Sequence, residues 1–151
     1  MCPQYAIIKI MKRDFWNGIR PLGHKTLLAL SEEMTEMTMN NEMTALIENI
    51  KADYFNWTTR CAGAKGRTTL SDTNKDMIAR FNDKIKFKVG NKYIKVFSEG
   101  GSVWGFVVNT DNDKKFKKGD LLKAAGYSAP TRNFARGNIL EGGYTSRWTG
   151  A

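Results

Sequence analysis

The sequence predicts an α+β fold: a curved antiparallel β-sheet with packed helices. Two observations carry this. The first half holds amphipathic stripes at helical spacing, and residues 84–108 alternate apolar and polar side chains with period two around two turn signals.

In chain order, Tyr5 to Met11 reads as a strand, ended by the charged and Gly/Pro-bearing stretch Lys12 to Gly23. Leu27 to Met39 is ambiguous, with Leu30, Met34 and Met37 at helical spacing among threonines. From Asn41 to Thr58 a helix is predicted, because Met43, Leu46, Ile47, Ile50, Tyr54 and Trp57 follow a three-and-four stripe that Asn40 or Asn41 can cap. Five glutamates (Glu32, Glu33, Glu36, Glu42, Glu48) fall between Thr26 and Ile50 with no Lys or Arg. That is a solvated helix face or a docking surface. Cys61 to Thr69 reads as a small, basic, flexible loop. Its Gly63-Ala64-Lys65-Gly66 has the GxxG form of a backbone clamp, a weak signal by itself. Ser71 or Asp72 then caps a short helix holding Met77, Ile78 and Phe81.

The hairpin is the most informative segment. Lys84 to Val89 and Lys92 to Phe97 alternate around Gly90-Asn91, a pair that favours a tight primed turn. Pairing Val89 with Lys92 sets Phe87 opposite Ile94 and Ile85 opposite Val96 on an apolar face. The other face then pairs Lys88 with Tyr93, Lys86 with Lys95 and Lys84 with Phe97. Directly opposed lysines repel, at roughly 0.2 to 1 kcal/mol. Such lysines either protect an exposed sheet from aggregation or await an anion. Rings beside them favour single-stranded nucleic acid, which needs cations for phosphate and aromatic faces for bases. A two-residue loop at Gly100-Gly101 leads into Val103 to Val108. It places Phe97 against Trp104, Lys95 against Phe106 and Ile94 against Val107, which adds Trp104 and Phe106 to the basic face. A one-residue slip buries both rings under a helix instead.

Thr110-Asp111-Asn112-Asp113 reads as a turn. It opens like a calcium loop, but Leu122 stands where a bidentate Glu is needed, which excludes that site. Lys114, Lys115, Lys117 and Lys118 precede a short fourth strand within Gly119 to Ala125. Residues 1–141 are expected as one nucleic-acid-binding domain and residues 142–151 as a Gly/aromatic tail. The Arg-aromatic-Gly stretch from Pro130 onward is either disordered and RNA-binding or tied onto the sheet.

A chain of 151 residues can bury a core without disulfides or metal, and its charge is uneven. Residues 1–83 carry 11 Lys/Arg against 10 Asp/Glu, whereas residues 84–151 carry 13 against 5. Basic charge confined to the sheet and tail suits a polyanion, and nucleic acid fits better than a membrane because no basic amphipathic helix is visible. Cys2 and Cys61 form no CxxC pair, and no secretory or membrane-spanning run is found, so a reducing, cytoplasmic setting is expected. His24 has no partner motif, and there is no phosphate-binding loop or nucleophile elbow. An enzyme is not expected, nor are catalytic residues, cofactor or metal.

Several runs carry a resemblance: Lys92-Tyr93-Ile94-Lys95-Val96, Ser102-Val103-Trp104-Gly105-Phe106-Val107, Gly119-Asp120-Leu121-Leu122-Lys123-Ala124-Ala125, Ala129-Pro130 and Ala135-Arg136-Gly137-Asn138-Ile139-Leu140. In order and spacing these resemble a family of small nucleic-acid-binding proteins of tailed phages, over about the last 60 residues. Tyr127 stands where that family tends to have Trp, and Arg132-Asn133-Phe134 is an unusual insertion. The resemblance implies a whirly-like or PC4-like fold, phage mRNA as ligand, condensates with RNA, and a place in the infected cell at a nucleus-like compartment with a phage shell protein as partner.

Together these give an expected RNA-binding face with little sequence preference. Lys84, Lys86, Lys88 and Lys95 hold phosphates, and Tyr93, Phe97, Trp104 and Phe106 stack bases. Lys117, Lys118, Arg132 and Arg136 extend it. Single-stranded DNA is an alternative ligand and a homo-oligomer an alternative assembly. A protein-interaction adaptor that uses the Met-rich acidic segment 30–50 is the rival function.

Overall fold

The computed structural model describes residues 24–64 and 69–151. The strand expected at Tyr5 to Met11, the stretch from Lys12 to Gly23, and Lys65-Gly66 of the GxxG run lie outside these residues. The chain divides into two compact units, residues 1–37 and 38–151.

Helix α1 runs His24–Ala64, longer than the stripe alone predicts. Asn40 and Asn41 lie inside it and cap nothing, and Asn40 accepts instead from the Thr44 hydroxyl at 2.9 Å. No glycine or proline interrupts residues 24–62, so the backbone has no cause to stop at the threonines and asparagines. The expected loop at Cys61 likewise begins as helix. Met39, Met43, Leu46, Ile47, Ile50 and Tyr54 are buried, as the spacing requires. Beyond Tyr54 the 3.6-residue period delivers Thr58 rather than Trp57 to the core, and the Thr58 hydroxyl donates to the Tyr54 carbonyl at 2.9 Å.

Helix α2, Asp72–Lys84, starts where predicted. The Ser71 side chain accepts from the Asn74 N–H, a cap worth about 1 kcal/mol. Lys84 is the last helical residue, not a strand residue. Phe81 stacks on Tyr54 with centroids 4.1 Å apart, which ties α2 to α1.

Four strands follow as an antiparallel meander in the order β1 (Lys86–Val89), β2 (Tyr93–Phe97), β3 (Val103–Val108) and β4 (Leu121–Lys123). The α+β class is thus correct. The hairpin register is shifted by two residues: Val89 lies opposite Ile94, Lys88 opposite Lys95, Phe87 opposite Val96 and Lys86 opposite Phe97. An even shift preserves both faces. Asn91-Lys92 forms the tip, and no described non-glycine residue has positive φ, so the turn is not the primed type. Gly90 serves close approach instead, since a Cβ there would lie 2.8 Å from the Tyr93 carbonyl oxygen.

Between β2 and β3 the loop is a three-residue turn, Glu99–Gly101, and Ser98 N–H donates to the Ser102 carbonyl at 2.8 Å. Lys95 opposes Phe106 and Ile94 opposes Val107, as expected. A bulge at Val96/Phe97 then sets Phe97 opposite Val103 instead of Trp104. That extra residue sends Trp104 to the helix side, where it packs with Ile94, Val96, Val107 and Leu121 against α1 and α2. Phe106, Val108, Leu122 and Phe116 form a second, smaller cluster on the other face.

Residues beyond β4 are ordered on the sheet. Thr131 and Arg136 N–H donate to the Lys123 and Leu121 carbonyls, both at 2.7 Å, and Leu121 N–H donates to the Gly137 carbonyl at 2.8 Å. This covers the outer edge of β4, which would otherwise offer unpaired backbone groups. Residues 142–151 are no separate tail. Trp148 packs against Tyr54, Trp57 and Phe81, its backbone N–H donates to the Asp53 carboxylate at 2.9 Å, and Ala151 N–H reaches the Trp104 carbonyl. The boundary expected after residue 141 therefore falls inside one packed unit, and the segment is held both by the helices, through Trp148, and by Trp104 of the sheet.

Candidate nucleic-acid interface

The face of the sheet away from the helices carries Lys86, Lys88, Tyr93, Lys95, Phe97 and Phe106 by alternation along β1 to β3. Lys86 and Lys88 on β1 are exposed, and neither forms an ion pair with a described carboxylate. Lys88 stands opposite Lys95, so the opposed pair exists but with a different member than expected.

Lys95 is half-buried among rings. Its Nζ lies 4.2 Å from the Tyr127 centroid, 5.6 Å from Phe97 and 5.7 Å from Phe106. Each such contact is worth about 0.5–1 kcal/mol near solvent, comparable to the repulsion between opposed lysines. The rings therefore offset the cost internally, and no anion is needed to explain the pairing. Tyr127, 65 % exposed, arrives from the loop after β4 and lies tilted beside Phe97 at 6.2 Å. Strand alternation could not have found it. Its one signal in the sequence is a large ring in a loop otherwise made of small residues, Ala124-Ala125-Gly126 before it and Ser128-Ala129-Pro130 after it.

Two expected stacking residues do not reach the open face. Trp104 is buried on the helix side, where its Nε1–H donates to the Arg147 carbonyl at 2.7 Å. Phe106 faces the lysine side but lies beneath Phe116 and Leu122 in the second cluster, 2 % exposed. Lys84 sits at the end of α2, off the strand face.

Tyr93 and Arg132 are engaged with each other. Arg132 grips the Asp113 carboxylate with two hydrogen bonds of 2.9 and 2.8 Å, donates to the Tyr93 hydroxyl, and lies 5.0 Å from the Phe116 centroid. Asp113 also accepts from the Lys115 and Phe116 N–H groups at 2.9 and 3.2 Å. Its side chain is 1 % exposed. The Arg132 hydrogen bonds, with those backbone donors, hold the Asp113 carboxyl well below the usual carboxylate range and raise the guanidinium in return. Arg132 is thus a clamp between the 110–120 loop and the chain after β4. Lys115 strengthens it by donating to the Arg132 carbonyl at 2.7 Å.

Lys117 is exposed and lies 3.6 Å from Glu141, and the Lys118 carbonyl accepts from the Asn138 side chain at 3.0 Å. Both belong to the Gly119 turn, away from the β1–β2 lysines. Arg136 stacks on Phe134, 4.4 Å from its centroid. The twelve expected residues are therefore not one surface. Lys86, Lys88, Lys95 and Phe97, joined by Tyr127, form a compact open patch; the others are structural or lie elsewhere.

No described helix is long and apolar enough to cross a membrane. Comparison of the chain with protein-family models, curated proteins and solved structures finds no match.

Proposed function

We propose that the protein binds single-stranded RNA, with little sequence preference, on the β1–β2 face of the sheet. The observation that carries this is the patch of Lys86, Lys88 and Lys95 beside the accessible rings of Phe97 and Tyr127. Cations take phosphates and rings take bases, each stack being worth roughly 1 to 3 kcal/mol. Only part of the face is open, so a small number of nucleotides stack there. The concentration of basic charge in residues 84–151 supports a polyanionic ligand.

The sequence resemblance supplies the finer part of the proposal. Within the tailed-phage family the chain looks most like chimallin C, the RNA-binding protein associated with the nucleus-like shell of jumbo phages. On that basis the ligand is phage mRNA, the fold is whirly-like or PC4-like, the protein acts at that compartment in the infected cell, and it condenses with RNA.

The test is titration of single-stranded RNA, single-stranded DNA and duplexes at several salt concentrations, with the protein and a Lys86→Ala/Lys88→Ala/Lys95→Ala variant. Three phosphate contacts contribute about −2 to the slope of log affinity against log salt, from about −0.7 each. The variant should lose that share and most of its affinity. Unchanged affinity and slope in the variant would remove the sheet face from the interface. A second reading, a protein-interaction adaptor, is favoured by the exposed Leu27, Leu28, Leu30, Met34 and Met37 beside Glu32, Glu33 and Glu36 on α1. An adaptor would keep its partner when the three lysines are removed.

A further inference from the structure

At the β4 edge, three cations that the sheet-face patch does not use converge on one groove of about 600 Å³. Lys123 ends β4, Arg136 lies on the segment paired with the outer edge of β4, and Arg147 comes from the C-terminal segment. All three are exposed, and none forms an ion pair with a described carboxylate. Their meeting is fixed by hydrogen bonds to main-chain carbonyls: Arg136 N–H to the Leu121 carbonyl at 2.7 Å, and the Trp104 indole N–H to the Arg147 carbonyl at 2.7 Å. Three like charges are thus held together by parts of the chain that have other reasons to be there.

The remaining lining is chemically apt. Thr145 and Thr149 offer hydroxyls, and Phe134 is 57 % exposed with the Arg136 guanidinium 4.4 Å from its centroid. A guanidinium on a ring beside further cations is the combination that takes a phosphodiester and a stacked base together. The volume is within the range of pockets that hold small ligands. The groove lies at the opposite edge of the sheet from β1, three strand spacings or about 14 Å across, and Lys123, next to Leu122 on β4, points to the helix side, so a strand reaching both contacts passes around the β4 edge.

We infer that this groove is a second contact for the same single strand: Lys123, Arg136 and Arg147 hold its phosphates and Phe134 stacks a base. The inference rests on the single-stranded RNA reading above. Two contacts on one strand act through effective concentration, so a strand long enough to reach both binds more tightly than one that reaches only one.

The experiment is fluorescence anisotropy with labelled single-stranded RNA of about 6 and about 20 nucleotides, one near the bottom of and one beyond the roughly 4 to 16 nucleotides taken by a single-strand-binding module. A Lys123→Ala/Arg136→Ala/Arg147→Ala variant should bind the longer strand at least tenfold more weakly. Its salt slope should be smaller in magnitude by about 2, and it should lose most of the preference for the longer strand. Thr145→Glu, which sets a carboxylate in the groove at an exposed position, should weaken long-strand binding in the same direction and serves if the triple variant folds poorly. Wild-type affinity and slope in both groove variants overturn the groove, while loss of binding in the Lys86/Lys88/Lys95 variant leaves the sheet face standing. Loss in the groove variants alone supports the groove and overturns the sheet face. No binding by the unaltered protein overturns both.

Discussion

At the scale of single residues, the molecule spends its most tightly held charges on structure rather than on a ligand. Asp113 and Arg132 are the clearest case. Asp113 satisfies two backbone N–H groups and a guanidinium at once, so its folded-state carboxyl lies below its unfolded value. A depressed carboxyl contributes stability that is complete above the ordinary carboxylate pKa of about 3.9 and is lost as pH falls through the folded value. The thermal midpoint of the protein should therefore decline below about pH 4. Asp113→Asn should have a lower midpoint at pH 7, and its deficit should shrink as the pH is taken down through the acid range. A constant deficit across pH would mean that Asp113 acts through packing alone. In the sequence, Arg132 looked like part of an RNA-binding stretch. Its partner stands 19 positions earlier in a turn, and nothing in local pattern joins them.

At the scale of elements, what could be read in advance follows from periodicity. The two faces of the β1–β2 hairpin survive a two-residue error in register because side-chain direction has period two. Ser71 as the cap of α2 and the buried stripe of α1 were legible for the same local reasons. The bulge at Val96/Phe97 was not legible, because it depends on how the Glu99–Gly101 turn meets the sheet and on the space for an indole under the helices. The position of residues 142–151 is not legible in the sequence because glycines and arginines suggest mobility, while the ring that anchors them finds its partners on distant helices. Trp148 meets Tyr54 at 5.2 Å and Trp57 at 4.8 Å between centroids. Trp148→Ala should cost about 3 kcal/mol in chemical denaturation and expose the C-terminal segment to proteases before global unfolding. Unchanged stability with an intact segment would show that the Asp53 and Trp104 hydrogen bonds suffice.

At the scale of the whole molecule, the charge asymmetry seen in the sequence resolves into two separate basic surfaces in residues 38–151, one on the β1–β2 face and one at the β4 edge. Composition located the charge in the right half of the chain but could not divide it, since the division depends on β4 being flanked by residues 130–138. The bulge has a further, optical consequence. Because it turns Trp104 toward the helices, Trp57, Trp104 and Trp148 all lie away from the lysine patch, and the Trp104 indole is one hydrogen bond from the main chain of Arg147. In a Trp16→Phe background, intrinsic emission should stay nearly constant when a ligand occupies the lysine face and should shift when one enters the groove. The two surfaces thus carry different spectroscopic signatures, set by the one extra residue in β3.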